Sequence, residues 1–137
     1  MPNIAAIERC NLDDYESAAL RHFADAKTLN AAGRLDNAGH LIGFAAECAI
    51  KHQLSNLSQP QEVSIHFPAL LLAARKHLGA RSNYSVSMFQ VIKEELFTGW
   101  IVNRRYHVTG HTSVEEMELW INQTQRLFAC ANLKAHV

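Results

Sequence analysis

Between Trp100 and Ser113 the chain reads WIVNRRYHVTGHTS, and this stretch packs two arginines, a tyrosine and two histidines close together. Arg104 and Arg105 supply guanidinium groups, which bind anions through several N–H donors at once. Tyr106, His107 and His111 follow at once; an imidazole can bind a ligand or move a proton near neutral pH. A simpler reading needs no function. Two cations at the C-terminal end of a helix are favoured by its dipole, by about 0.3–1 kcal/mol each. Glu47 is the next candidate. It lies on a stripe with His40, Phe44 and Lys51, and from there it can orient a guanidinium of Arg104 or Arg105. The simpler alternative is an exposed i,i+4 pair of Glu47 with Lys51. His40 reads either as a wall of the site or as a surface residue. Cys48 and His52 stand four apart, a spacing that can hold a metal from one helix face, but no third or fourth ligand is evident and a structural role is the better reading. The Arg75-Lys76-His77 run fits a helix C-terminus, or a surface that guides an anionic strand.

The chain around these residues has 137 residues, 48% hydrophobic and 19% charged, with a formal net charge of zero. That length suits one domain, and the composition is globular rather than disordered. A protein gripping duplex nucleic acid over many phosphates carries a basic excess, so any such contact here is expected to be short and local. Cys10, Cys48 and Cys130 are odd in number and form no CxxC, which predicts free thiols in a reducing compartment. No apolar run is long enough to span a bilayer, and the N-terminus has no basic region ahead of its apolar residues. The expectation is a soluble cytoplasmic protein that needs no metal or cofactor.

The periodicity predicts an all-α fold, a four- to five-helix up-and-down bundle, as a single domain over residues 1–137 with a loose arm over 1–12. The first helix is expected from about Asp14 to Ala32, capped by Asp13 or Asp14 and ended by Gly33. The second covers about Asn37 to Leu54 with Asp36 as N-cap; the short loop between them predicts an antiparallel hairpin. Its many small residues, Ala38, Gly39, Gly43, Ala45, Ala46 and Ala49, permit close helix approach. A polar loop with Pro60 leads to a third helix from Pro68 to His77 or Leu78, stopped by Gly79. The fourth is expected over about Val86 to Val102, with Phe89, Ile92, Leu96 and Trp100 on one face and Gly99 as a close contact or a break. Ser113-Val114-Glu115-Glu116 matches a capping box and starts a fifth helix that reaches about Leu133. Tyr84, Trp100 and Trp120 read as core or interface residues.

Taken in order, these pieces are familiar. The hairpin SAALRHFADAKTLNAAGRLDNAGHLIGFAAECAIKHQL, the Ile65-His66-Phe67 lead into the third helix, the WIVNRRY helix end and the closing SVEEMELWINQTQRLF resemble the HEPN superfamily, the higher eukaryotes and prokaryotes nucleotide-binding domain. The resemblance spans roughly Ser17 to Asn132. It implies a helical bundle, usually a homodimer, often acting beside a minimal nucleotidyltransferase as a toxin–antitoxin pair. In one group of that family an arginine, followed a few residues later by a histidine, cleaves RNA without metal. The histidine moves a proton at the 2′-hydroxyl or leaving oxygen, and the arginine stabilises charge on the phosphate. Five residues separate Arg105 from His111 and six separate Arg104 from it. Gly110 and the β-branched Val108-Thr109 depart from the helix that usually joins the two. Arg105-Tyr106 also resembles an arginine–tyrosine pair of members without that activity, an alignment that leaves His111 with no role. The resemblance therefore implies, first, a module binding a nucleotide, single-stranded RNA or a nucleotidyltransferase-type partner through Glu47, Arg104, Arg105, Tyr106 and His107. The alternative is a metal-independent endoribonuclease toxin using Arg104 or Arg105 with His111 at a dimer cleft.

Overall fold

The computed structural model describes residues 14–56, 65–78 and 86–134. The N-terminal arm with Cys10, the loop around Pro60, the stop at Gly79 and the expected role of Tyr84 lie outside them. Among the described residues there are five α-helices and one 3-10 helix, and no strand: α1 Tyr15–Ala31, α2 Leu35–Ser55, α3 Ala69–His77, α4 Val86–Ile92, η1 Val102–Tyr106 and α5 Val114–Cys130. The packing is that of a small helical bundle, and no described helix is long and apolar enough to cross a membrane.

The central element is α2, which packs most extensively on α1, then on α5, and also meets η1 and α3. Asp14 caps α1 by accepting from Ser17 N at 2.9 Å, and Gly33, at φ 76°, lets the chain reverse into α2. Asp36 does not cap α2, as the sequence suggests. The helix begins at Leu35 with Arg34 in the cap position, which leaves the Asp36 carboxylate free for another task. Ala38, Ile42, Ala45, Ala46, Ala49, Ile50 and Leu54 are fully buried. Each burial of an Ile or Leu side chain is worth about 1.5–3 kcal/mol before entropy. The capping box of α5 is present, with Ser113 Oγ accepting from Glu116 N at 3.0 Å and Glu116 Oε1 accepting from Ser113 N at 3.0 Å.

The expected long fourth helix is replaced by something shorter. α4 stops at Ile92, and residues 93–101 form a folded turn in which Phe97 and Gly99 take φ values of 56° and 82°. A left-handed backbone at a bulky residue costs about 1–3 kcal/mol. Here it is offset by burial. The Phe97 ring lies parallel to Phe67 (5.0 Å between centroids) and to Trp120 (6.0 Å). The Phe97 N–H donates to Gln123 Oε1 at 2.9 Å. Three residues on, the Trp100 indole lies across the glycine face of α2, where its Nε1–H donates to Gly39 O at 2.7 Å. A Cβ on Gly43 would stand 1.9 Å from the indole, so the small residues of α2 receive a tryptophan here rather than another helix. A continuous helix would keep Leu96 and Trp100 on one stripe but could not also bury Phe97. The turn buries all three.

Candidate functional site

The turn delivers η1 to the side of α2, and η1 sends its two arginines to different places. Arg104 is buried. It donates to Gly99 O at 3.0 Å and to Thr112 Oγ1 at 3.1 Å, approaches Glu116 Oε1 at 3.5 Å and lies 4.8 Å over the Trp120 ring. It thus ties the turn, the following loop and the start of α5 together. Arg105 is exposed; its guanidinium covers the Tyr106 ring at 4.9 Å, and no ion pair holds it among the described residues. Tyr106 is 76% exposed.

His111 is close to Arg104 through one intermediary, Thr112, but it is held rather than offered. Its Nδ1 is 2.8 Å from Val108 O and 3.1 Å from Asp36 Oδ1, both acceptors, so Nδ1 carries the proton. Its Nε2 is 3.4 Å from Thr112 Oγ1. The other oxygen of Asp36 accepts from Gly110 N at 2.7 Å, and Oδ1 accepts from Thr112 N at 3.0 Å. The N–H of Gly110, above all, holds the Asp36 carboxyl below its ordinary range. Asp36 therefore pins the 107–112 loop to the first turn of α2. His107 is exposed and meets the His111 ring edge-on at 5.0 Å.

Glu47 belongs to a different constellation from the one its stripe suggests. It touches neither arginine. Its Oε1 accepts from His66 Nδ1 at 2.8 Å and its Oε2 accepts from Phe67 N at 2.7 Å. The carboxyl is 2% exposed, and burial pushes it above its usual range against the opposing pull of these two donors. The His66 ring, 41% exposed, turns its Nε2 away from the carboxylate. The ring of Phe44 is the hub beside it, with His66 at 5.8 Å, His22 at 5.8 Å, His40 at 4.5 Å and Trp100 at 5.7 Å. His40 also stacks on Trp100 at 6.1 Å.

His40 is thus no simple surface residue. It is half-buried, and its Nδ1 is buried without a partner among the described residues. Burial lowers its pKa first, and the charges of Arg105, His22 and His66 lower it further. Of the two expected site cations, Arg105 is the exposed one, on η1, which packs against α2. The sequence reading did not single out His22, and it took His66 only as the lead into α3. The available signal was the histidine count: three of the eight flank one phenylalanine.

The remaining expectations concern metal and thiol chemistry. Among the described residues no cluster of His, Cys, Asp and Glu has the makings of a metal site. The Cys48 thiol is pushed up to about 11 by burial, which makes it a poor ligand and a poor nucleophile. Arg75 is spent on the carbonyls of Ile92 and Glu94, bracing the turn after α4. Compared with models of known families, with curated proteins and with solved structures, the chain finds no match. Its site is read from its own chemistry.

Proposed function

We propose that this protein is a HEPN-like nucleotide-binding helical domain whose ligand is a short stretch of single-stranded RNA or a single nucleotide. The carrying observation is that η1, which bears the exposed guanidinium of Arg105, packs on α2, whose partly buried His40 and Phe44 rings cluster with His66 around the buried indole of Trp100. Single-stranded nucleic acid is held by that combination: a cation on the phosphate and flat rings against the bases. A net charge of zero fits a contact with one or two phosphates and not a long duplex footprint. On this reading Arg105 holds phosphate, Tyr106 and His107 border it, and Arg104 and Glu47 hold the scaffold that presents it. The protein acts as a homodimer in a toxin–antitoxin or nucleotidyltransferase-associated system, and the nucleotidyltransferase-type protein is its partner.

The endoribonuclease reading draws support from the Arg104–Thr112–His111 chain, which sets a guanidinium near an imidazole. Against it, Arg104 is buried and both nitrogens of His111 have neighbours within the loop. Binding of a fluorescent single-stranded oligoribonucleotide, followed by anisotropy in EDTA, separates the two. Saturable binding that Arg105→Ala weakens about tenfold, with the RNA left intact, is the expected result. RNA cut in EDTA by the wild type and left whole by His111→Ala would replace the binding reading with the enzymatic one. No saturable binding and no cutting would remove both.

A further inference from the structure

The residues from Arg105 to Gly110 are all exposed, yet the strip they form is tied at both ends. At its start, Arg104 donates to Gly99 O and to Thr112 Oγ1. At its end, Asp36 accepts from Gly110 N and Thr112 N and meets His111 Nδ1 at 3.1 Å. Two large apolar side chains stand on this strip. Val108 is 79% exposed and Tyr106 76%, the highest values for large hydrophobic residues among the described residues. One exposed apolar residue is ordinary on a protein surface. Two of them, beside a cation on an anchored strip, make a preorganised surface for a ligand. Packing does not account for Tyr106: its ring contact among the described residues is with the guanidinium of Arg105, 4.9 Å from the centroid. A guanidinium lying over a ring keeps its N–H donors directed outward in its own plane, where a phosphate can meet them. Arg105 has no ion pair among the described residues, so those donors are open to such a contact. Most of the ring is open to solvent as well. A free phosphate or an acidic peptide would use the cation and leave the ring idle, and a duplex would keep its base faces stacked away from it. An unpaired base with its phosphate uses both.

We infer that the Tyr106 ring is a stacking platform for one unpaired base of a single RNA strand whose adjoining phosphate is held by Arg105. The inference rests on the RNA-binding reading above. It moves Tyr106 from the border of the site to the residue that selects unpaired bases, and it gives Arg104 and Asp36 the task of holding the strip that presents the ring.

The test is anisotropy titration of the full chain, at several salt concentrations, with a single-stranded oligoribonucleotide and with a strand of the same length that lacks bases. Tyr106→Ala is expected to weaken binding of the natural strand by about fivefold or more, and Tyr106→Phe, which keeps the ring, to bind as the wild type does. On the abasic strand the wild type and Tyr106→Ala are expected to bind alike, since no base is there to stack. Salt separates the two residues further. Arg105→Ala is expected to lower the slope of log affinity against log salt by about 0.7, the share of one phosphate, and Tyr106→Ala to leave it unchanged. Undiminished binding by Tyr106→Ala overturns the inference, as does an equal loss on both strands or a changed salt slope in that variant. RNA binding that needs Arg105 but not Tyr106 sinks the platform and spares the binding reading; a wild type that binds no RNA sinks both. Tyr106→Ala that alters the sedimentation of the free protein while leaving RNA binding intact assigns the ring to a protein contact instead.

Discussion

A 3-10 helix turns through about 120° per residue, so Arg104 and Arg105 cannot share a face. One goes inward and becomes a strut; the other stays in water and is available to a ligand. Replacing the strut removes a charged donor from Gly99 and Thr112 and strands those acceptors. Arg104→Ala is expected to cost about 2–3 kcal/mol in urea denaturation, and Arg105→Ala under about 0.5 kcal/mol. The sequence showed two adjacent arginines, but the choice between them follows from the backbone of η1, which leaves no mark in residue spacing. The imidazoles make a second prediction. Burial depresses His40 and His22 below their ordinary value of 6.5. The unfolded chain therefore takes up these protons near pH 6.5 while the folded chain takes them up only lower. Stability is expected to fall as pH drops through 6.5 and to go on falling until the folded values are reached. Urea midpoints at about pH 7.5 and about pH 5.5 measure the decline, and His40→Phe is expected to shrink it. Asp36 has the acidic version of the same linkage. Its carboxyl is depressed, so the stability it gives is present above its ordinary 3.8 and is lost as pH falls through the lower folded value.

At the scale of the element, α2 decides how the site is assembled. Its helical periodicity, its small residues and the stripe of His40, Phe44 and Glu47 were all visible in the sequence. What the small residues make room for was not, because the partner is an indole more than fifty residues away, in a segment whose periodicity suggested a helix. The same is true of Glu47: a helical stripe shows which side a carboxylate is on but not that a main-chain N–H at Phe67 will be waiting there. Gly43→Ala places a methyl group inside the Trp100 indole, and overpacking of this kind costs about 1–3 kcal/mol or more. Thermal unfolding should show it, together with weakened RNA binding, because Trp100 carries the ring cluster. The helix ends with local chemistry, Asp14, Gly33 and Ser113 with Glu116, were legible because each is fixed within a few residues. The end of α4 was not, since it depends on where Phe97 can be buried.

For the whole molecule, the sequence carried the all-α class and the α1–α2 hairpin, because both follow from local pattern. Arg105 and Glu47 could be picked out as candidates from the sequence, but the partners of Glu47 could not, since it meets His66 and Phe67 and neither arginine, and His22 and His66 reach Phe44 only through tertiary packing. The proposed homodimer has its own test. Sedimentation at micromolar protein is expected to give twice the chain mass, and a monomer across that range would remove the dimer. Exposed Val114 and Leu119 on α5 and the exposed pair Tyr106 and Val108 are places to look for the protection a second subunit would give in hydrogen exchange.

Trp100 joins these scales in a way that can be observed directly. It is one of two tryptophans in the chain, both buried; it stacks on His40, while the other, Trp120, lies under Arg104. An imidazolium quenches indole emission more strongly than a neutral imidazole does. Acidification is therefore expected to dim the Trp100 signal as His40 charges, before the fold is lost. A Trp120→Phe variant would isolate that signal, giving the protein a built-in optical probe at the place where a ligand would arrive.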